Sequence, residues 1–321
     1  MKIFLFTLML LLVRPLPAAG PFKVLGPVET IDNGVVTLDV TPKTGRIVGY
    51  QRKGEANWLA NEDREPNPGW NWNPWGGDRV WPVAQFLNHQ IYGNNGFDPV
   101  IDGQPWEVVK KEAGALTLRS GVSPQLGVRI TRQIELVAGS AAVVHTFTIE
   151  RVADSVFPVH IWTVTGVRSS DYMLVESDRR TRHAGWKPFK WWLDVSVEAP
   201  KATLYKELDT LHVPRPAEAL KVGTYGRWIA AVSGSSAFVQ TIAYEPPALY
   251  LEASNLQVFM NLAQNLHEIE TLSPTWQLAK GESRTWQVRW DLVDAPSPKE
   301  SPATVAQRAA ALADRLPRLS R

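Results

Sequence analysis

Apolar and polar residues alternate with a period of two along most of the chain, and Val128–Leu136 shows it most clearly. Positions 128, 130, 132, 134 and 136 read Val, Ile, Arg, Ile and Leu, while 129, 131, 133 and 135 read Arg, Thr, Gln and Glu. That period puts one face on a core and the other in water, as in a β-strand. A turn at Ala138-Gly139-Ser140 leads into Ala142–Val152, where Val143, His145, Phe147 and Ile149 share a face. A lone histidine in that setting reads as a hydrogen-bonded core residue. Near the start, Val24–Ile31 and Val35–Val40 flank Asp32-Asn33-Gly34, whose Asn-Gly signals a hairpin. Further strands are predicted at 46–51, 106–112, 116–120, 157–164, 171–177, 191–198, 201–207, 225–232, 236–243, 248–253, 256–262, 266–271 and 284–293.

Helical spacing occurs only at the end, where Val305, Ala309, Leu312 and Leu316 recur behind Ser301-Pro302, an N-cap followed by Pro at the first helical position. Pro317 closes it. About fifteen short strands with no strand-helix alternation predict an all-β fold of two packed antiparallel sheets. It spans residues 21–296, with one C-terminal amphipathic helix in 297–321. The absence of a repeat of about 20–50 residues disfavours a propeller.

The first twenty residues fall outside this pattern. Lys2, an apolar run from Ile3 to Val13, Pro15, Pro17 and Ala18-Ala19-Gly20 make a secretory signal peptide, too short for a membrane span. Residues 1–20 are therefore a leader and the protein is expected to be exported, to the periplasm or the medium. The chain has no cysteine, which excludes disulfides, a thiol nucleophile and lipid attachment through Cys. Without Lys2 and Arg14, the 34 basic residues become 32, against 32 acidic ones. Near-zero net charge argues against a nucleic-acid partner and against a polybasic membrane anchor.

The alternation also fails at 66–85, PNPGWNWNPWGGDRVWPVAQ. Prolines around Gly76-Gly77 forbid a regular helix, so the segment reads as a loop. It carries Trp70, Trp72, Trp75 and Trp81 among Asn71, Asn73, Asp78, Arg79 and Gln85. Flat indoles beside amides and a charged pair suit a pyranose, apolar on its faces and hydroxylated on its rim. A plug of tryptophans capping the end of a sandwich is the competing reading.

Other candidate chemistry is sparse. The chain lacks a P-loop, an H-E-x-x-H helix, a dinucleotide fingerprint and a G-x-S-x-G elbow. His89, His145, His160, His183, His212 and His267 show no metal-ligand spacing, and no metal is expected. Glu268 and Glu270 fall on one face of the strand predicted at 266–271, roughly 6.6 Å apart along it. Either becomes a general base if burial raises its pKa, and either is ordinary if that face is solvated. In 176–192, Arg179, Arg180, Arg182, Lys187 and Lys190 interleave with Trp186, Phe189, Trp191 and Trp192. Such a segment fits an acidic sugar or phosphate, or equally a solvated basic loop on an aromatic strand.

Three stretches together carry a family resemblance: GRIVGYQ at 45–51, NPWGGDRVWPVAQ at 73–85, and FPVHIWTVTG at 157–166 with HEIETLSPTWQLAKGESRTWQVRW at 267–290. They resemble the DUF4380 type of uncharacterised secreted proteins, related to the galactose-mutarotase-like β-supersandwich proteins, over residues 24–293. The resemblance implies a large antiparallel β-supersandwich that holds carbohydrate in a groove on one sheet. In aldose mutarotases a glutamate takes the anomeric proton and a histidine protonates the ring oxygen, and no cofactor is needed. Glu270 matches the base. Trp162 stands at the acid's position, with His160 one pleat repeat earlier. Two functions follow. In one, the protein binds a saccharide or glycan, with Trp72, Trp75, Trp81 and Trp162 stacking and Asp78, Arg79 and Gln85 bonding hydroxyls. In the other, it is a cofactor-free aldose 1-epimerase with Glu270 as base and His160 or Arg79 as electrophilic partner. A protein-binding sandwich with the tryptophan loop as interface is a third reading.

Overall fold

A computed structural model describes residues 22–62, 65, 75–93, 97–168, 170–178, 190–191, 203–205, 209–215, 219–244, 248–261, 266–295 and 302–315. The expected leader, Trp70, Trp72, the basic segment from Arg179 to Phe189 and the cap Ser301 lie outside the described residues.

Two antiparallel sheets form the protein. The nine-stranded sheet runs, in spatial order, through β1 (Glu29–Asp32), β2 (Val36–Thr41), β3 (Arg46–Arg52), β4 (Asp78–Trp81), β9 (Trp162–Val167), β18 (Leu266–Leu272), β17 (Leu256–Asn261), β14 (Leu220–Thr224) and β11 (Lys190–Trp191). The ten-stranded sheet runs through β12 (Thr203–Tyr205), β13 (Thr210–Pro214), β10 (Tyr172–Glu176), β15 (Trp228–Ser233), β16 (Ser236–Ile242), β19 (Ser283–Asp294), β8 (Val143–Arg151), β7 (Val128–Leu136), β6 (Ala115–Arg119) and β5 (Glu107–Glu112). The central strands of the first sheet come from three distant parts of the chain, so its middle is assembled by long-range pairing.

The inner faces meet in one apolar core. Ile130 and Ile134 of β7, Phe147 and Ile149 of β8, and Trp286 and Trp290 of β19 pack toward Val80, Val167, Ile269, Val258 and Met260 of the nine-stranded sheet. The alternation in β7 is borne out, and with it the inward position of Arg132. The Arg132 guanidinium donates a short hydrogen bond to Asp78 of β4 and approaches Nδ1 of His145 at 3.3 Å. Thr165 Oγ1 donates to the other Asp78 oxygen at 2.5 Å, and Gln240 Nε2 donates to Thr165 at 2.8 Å. A buried charge is expensive unless paired, and this network supplies the partners. Burial holds the Asp78 carboxyl above its ordinary range, while Arg132 opposes the shift. His145 is the core histidine that the alternation predicts.

The C-terminal helix also forms. In α2 (Pro302–Ala313), Val305, Ala306, Ala309 and Ala313 cover Leu174, Trp228, Ala230 and Val232 on the outer face of the ten-stranded sheet.

Several elements differ from the pattern. Residues 78–81 are not loop but the strand β4, between β3 and β9. Both its faces are buried, so Asp-Arg-Val-Trp shows no polar-apolar alternation. The two glycines before it make the approach possible. Gly76 and Gly77 each have φ +67°, and a Cβ would lie 2.2 Å from the Ala60 carbonyl oxygen and 2.4 Å from that of Ile47, respectively. A second helix, α1 (Gln85–Tyr92), follows directly, closed by Gly93 at φ 83°. β13 and β14 form at 210–214 and 220–224, where no strand is expected, and 248–255 is a turn region. β9 begins only at Trp162, because His160 instead donates its backbone N–H to Pro82 at 2.9 Å.

Arg132→Met removes one partner of a fully buried pair and strands Asp78. Urea unfolding at pH 7 is expected to show a loss of ~3–5 kcal/mol. A loss under about 1 kcal/mol, the scale of an exposed pair, would contradict the assignment of this pair to the core.

Candidate functional site

The outer face of the nine-stranded sheet carries a second, separate polar system. Strand register places its members in rows. Arg79 of β4 lies opposite Val164 of β9, which lies opposite Glu270 of β18, which lies opposite Gln257 of β17. The neighbouring row is Trp81, Trp162 and Leu272. Glu268 is two residues from Glu270 on the same face, and Lys221 of β14 lies opposite Phe259, itself opposite Glu268. Period two thus sends Asp78, Val80, Thr165 and Ile269 to the core, and Arg79, Trp81, Trp162, Glu268 and Glu270 to this face.

Glu270 is the centre. Its Oε2 accepts a hydrogen bond from Trp162 Nε1 at 2.8 Å and one from Lys221 Nζ at 3.0 Å. Its Oε1 has no hydrogen-bond partner among the described residues. Burial pushes the carboxyl up, Lys221 pulls it back, and the neighbouring Glu268 adds to the rise. Lys221 also sits 4.9 Å from the centroid of the Trp162 ring, so the ammonium contacts both carboxylate and indole. Gln257 donates through Nε2 to Ser254 Oγ at 3.0 Å, and its Oε1 has no partner among the described residues.

Long side chains bridge diagonally across the strands. Arg79 Nη2 meets Glu268 Oε1 at 3.2 Å, and its guanidinium lies 4.5 Å from the Trp81 ring centroid. Trp81 stacks on Phe97 with centroids 4.3 Å apart and meets Trp162 edge-on at 4.9 Å. Its Nε1 donates to Asp102 Oδ2 at 3.2 Å, while Arg46 Nη2 holds Asp102 Oδ1 at 2.7 Å. Indoles and ion pairs therefore interlock across β3, β4, β9, β18 and β14.

The expected site residues separate into groups. Glu270, Arg79, Trp81 and Trp162 come together on this face. Trp75 is buried in a small cluster with Leu25 and Val48, with Arg46 5.3 Å from its ring centroid. Gln85 opens α1, and its backbone N–H donates to Glu252 Oε1 at 2.6 Å. Trp72 lies outside the described residues. Asp78 is corrected: it faces the inter-sheet core with Arg132, because the residue next to Arg79 in a strand must point the other way.

His160 lies beside the centre without touching it. The Trp162 indole, not the imidazole, meets Glu270, and the two aromatic rings cross edge-on with centroids 6.1 Å apart. Burial lowers the His160 pKa to about 4, against a smaller opposing pull from Glu252, so the ring is neutral at pH 7. Among the described residues no three His, Cys, Asp or Glu side chains group as metal ligands. Nor is any described helix long and apolar enough to cross a membrane.

Sequence reading missed Lys221, Gln257 and the Asp102–Arg46 pair. For Lys221 a signal was present: a single lysine inside the apolar Leu220–Thr224 run. Chemically, the face offers a base with one oxygen held and one oxygen uncommitted, an ammonium in contact with that base, and two indoles edging it.

The chain matches no known family profile and no curated protein sequence. It does match solved structures. A galactose mutarotase-like protein from Lactobacillus casei superposes with a TM-score of 0.59 at 10% identity, covering 83% of this chain and 100% of that one. A galactose mutarotase related enzyme from Lactobacillus acidophilus gives 0.56 at 12% identity, covering 85% and 100%. An inferred aldose 1-epimerase from Escherichia coli K12 gives 0.55 at 14% identity, covering 84% and 99%. The fold is therefore galactose-mutarotase-like, as the resemblance implied, and identity this low carries the fold alone.

The depressed His160 pKa has a consequence for stability. The unfolded chain binds a proton near pH 6.5 that the folded state refuses until about pH 4, so stability falls as pH drops through that window. Between pH 7 and pH 5 the wild type is expected to lose about 2 kcal/mol more than His160→Gln, read from urea midpoints at each pH. Equal losses in the two proteins would show that His160 titrates normally.

Proposed function

We propose that the protein is exported and binds a saccharide on the outer face of the nine-stranded sheet, around Glu270. The observation that carries this is the Glu270 carboxylate, buried and fixed through Oε2 by Trp162 and Lys221, with Oε1 uncommitted among the described residues. A sugar hydroxyl is the natural donor for such an oxygen, and a charge-assisted bond to a buried carboxylate is among the stronger kinds. Trp81 and Trp162 supply apolar surface for a pyranose face, while Arg79 and Gln257 border it with polar groups. Trp72, Trp75 and Gln85 remain second-rank members of the set, and Asp78 leaves it. Export rests on the leader, and kinship with the DUF4380 type rests on the motifs at 45–51, 73–85, 157–166 and 267–290.

The names of the structural neighbours, aldose 1-epimerase and galactose mutarotase-like protein, favour an aldose as the ligand. They also favour a second reading, interconversion of anomers. The raised pKa of Glu270 supports it, since a base is most effective when its pKa approaches the working pH.

A panel of neutral, acidic and phosphorylated monosaccharides and short glycans, read by intrinsic tryptophan fluorescence, tests the binding claim. At least one saccharide is expected to give a saturable change. Glu270→Gln is expected to weaken it about tenfold or more, the scale of a hydrogen bond to a charged group. No response across the panel, or unchanged affinity in a folded Glu270→Gln protein, would overturn the proposal.

A further inference from the structure

We propose that Lys221 is the proton donor to the ring oxygen of a bound aldose and works with Glu270 as one acid-base pair. This rests on the saccharide reading and goes beyond it, because it makes the site catalytic without a histidine.

Ring opening needs a base at the anomeric hydroxyl and an acid at the ring oxygen. Both oxygens are bonded to the same carbon, so the two catalytic groups must be close neighbours. Lys221 Nζ and Glu270 Oε2 are 3.0 Å apart, within the range over which protons pass. The alternatives fit less well. His160 is neutral at pH 7 and meets the edge of the Trp162 ring rather than Glu270. Arg79 is engaged with Glu268, and a guanidinium does not release its proton in a protein. Trp162 touches Glu270 but contributes only an indole N–H, which donates a hydrogen bond and not a proton. That bond orients the base: it occupies Oε2 and leaves Oε1 without a partner among the described residues.

The step balances. Glu270 Oε1 takes the proton of the anomeric hydroxyl, and the freed electron pair makes the C1=O1 carbonyl. The C1–O5 bond breaks, and O5 takes a proton from Lys221. The sugar is now an open-chain aldehyde, Glu270 a carboxylic acid and Lys221 an amine. Rotation about C1–C2 offers the other carbonyl face. O5 re-attacks and returns its proton to Lys221, while O1 recovers its proton from Glu270. The C1 configuration is inverted and the pair is restored, with no oxidant, cofactor or metal consumed. Both states of the pair carry no net charge, which suits a site buried from water.

The test follows anomer interconversion by polarimetry and by proton exchange NMR, using freshly dissolved α-D-glucose, α-D-galactose and α-D-galacturonate, with fluorescence binding measured in parallel. Lys221→Arg keeps a cation on Glu270 but cannot act as an acid. It is expected to lower kcat about 100-fold or more, the usual contribution of a general acid. Should that variant fold poorly, Lys221→Ala provides a second route. Its lost rate is expected to return with added methylammonium chloride and not with sodium chloride at equal ionic strength. A wild-type kcat in Lys221→Arg would overturn the proposal, because the lysine would then serve only as a charge. Saturable binding by the wild type with no interconversion would also overturn it and leave the saccharide reading standing, whereas no binding would remove both.

Discussion

A sheet buried on both faces has no water on either side to take up charge, and the structure is organised by that constraint. β4 and β18 carry Asp78, Arg79, Glu268 and Glu270 into regions almost free of solvent. Each charge then needs a partner, and for these four the partner comes from a different strand. Asp78 finds Arg132 of the opposing sheet, Arg79 finds Glu268, and Glu270 finds Lys221. The inward network joins the two sheets. The outward one lies across a single sheet and forms a candidate site.

The two buried carboxylates differ in what they leave over. Between the sheets, Asp78 has both carboxylate oxygens engaged, by Arg132 and by Thr165. On the outer face, Glu270 has one oxygen doubly engaged and the other without a partner among the described residues. A buried polar atom left unbonded carries a desolvation cost of about 1–3 kcal/mol. In the proposed function, a ligand hydroxyl between two indoles and an ammonium supplies the missing bond. The strands fix the geometry in advance, which lowers the ordering cost of binding.

Much of the fold was legible where one face of a strand is dry and the other wet. β7 and β8 alternate cleanly, so their bounds and even the inward Arg132 could be read from residue order. β4 could not. With both faces buried, Asp-Arg-Val-Trp presents a charge and an apolar residue to each side, and flanking glycines and prolines disguise it as a turn. The same logic divides the site. Glu268 and Glu270 announce themselves by their spacing, and Trp81 and Trp162 by their side chains. Lys221 could not be joined to Glu270 from the sequence, since 49 residues separate them and their contact depends on the register of β14, β17 and β18. Asp78 was assigned to the wrong side for a related reason: adjacency to Arg79 in a loop suggests a shared ligand, whereas adjacency in a strand excludes it.

In the proposed function the outer face of the nine-stranded sheet, and not the sandwich interior or its ends, receives the ligand. Nitrogen-15 labelling of the fourteen tryptophans gives one indole N–H signal for each, assigned by single substitutions. On titration with a saccharide that binds, the signals of Trp81 and Trp162 are predicted to shift most, because their N–H groups lie on that face. Those of Trp286 and Trp290, packed between the sheets, are predicted to stay in place. Shifts confined to other indoles, with Trp81 and Trp162 unmoved, would place the ligand elsewhere and contradict the account.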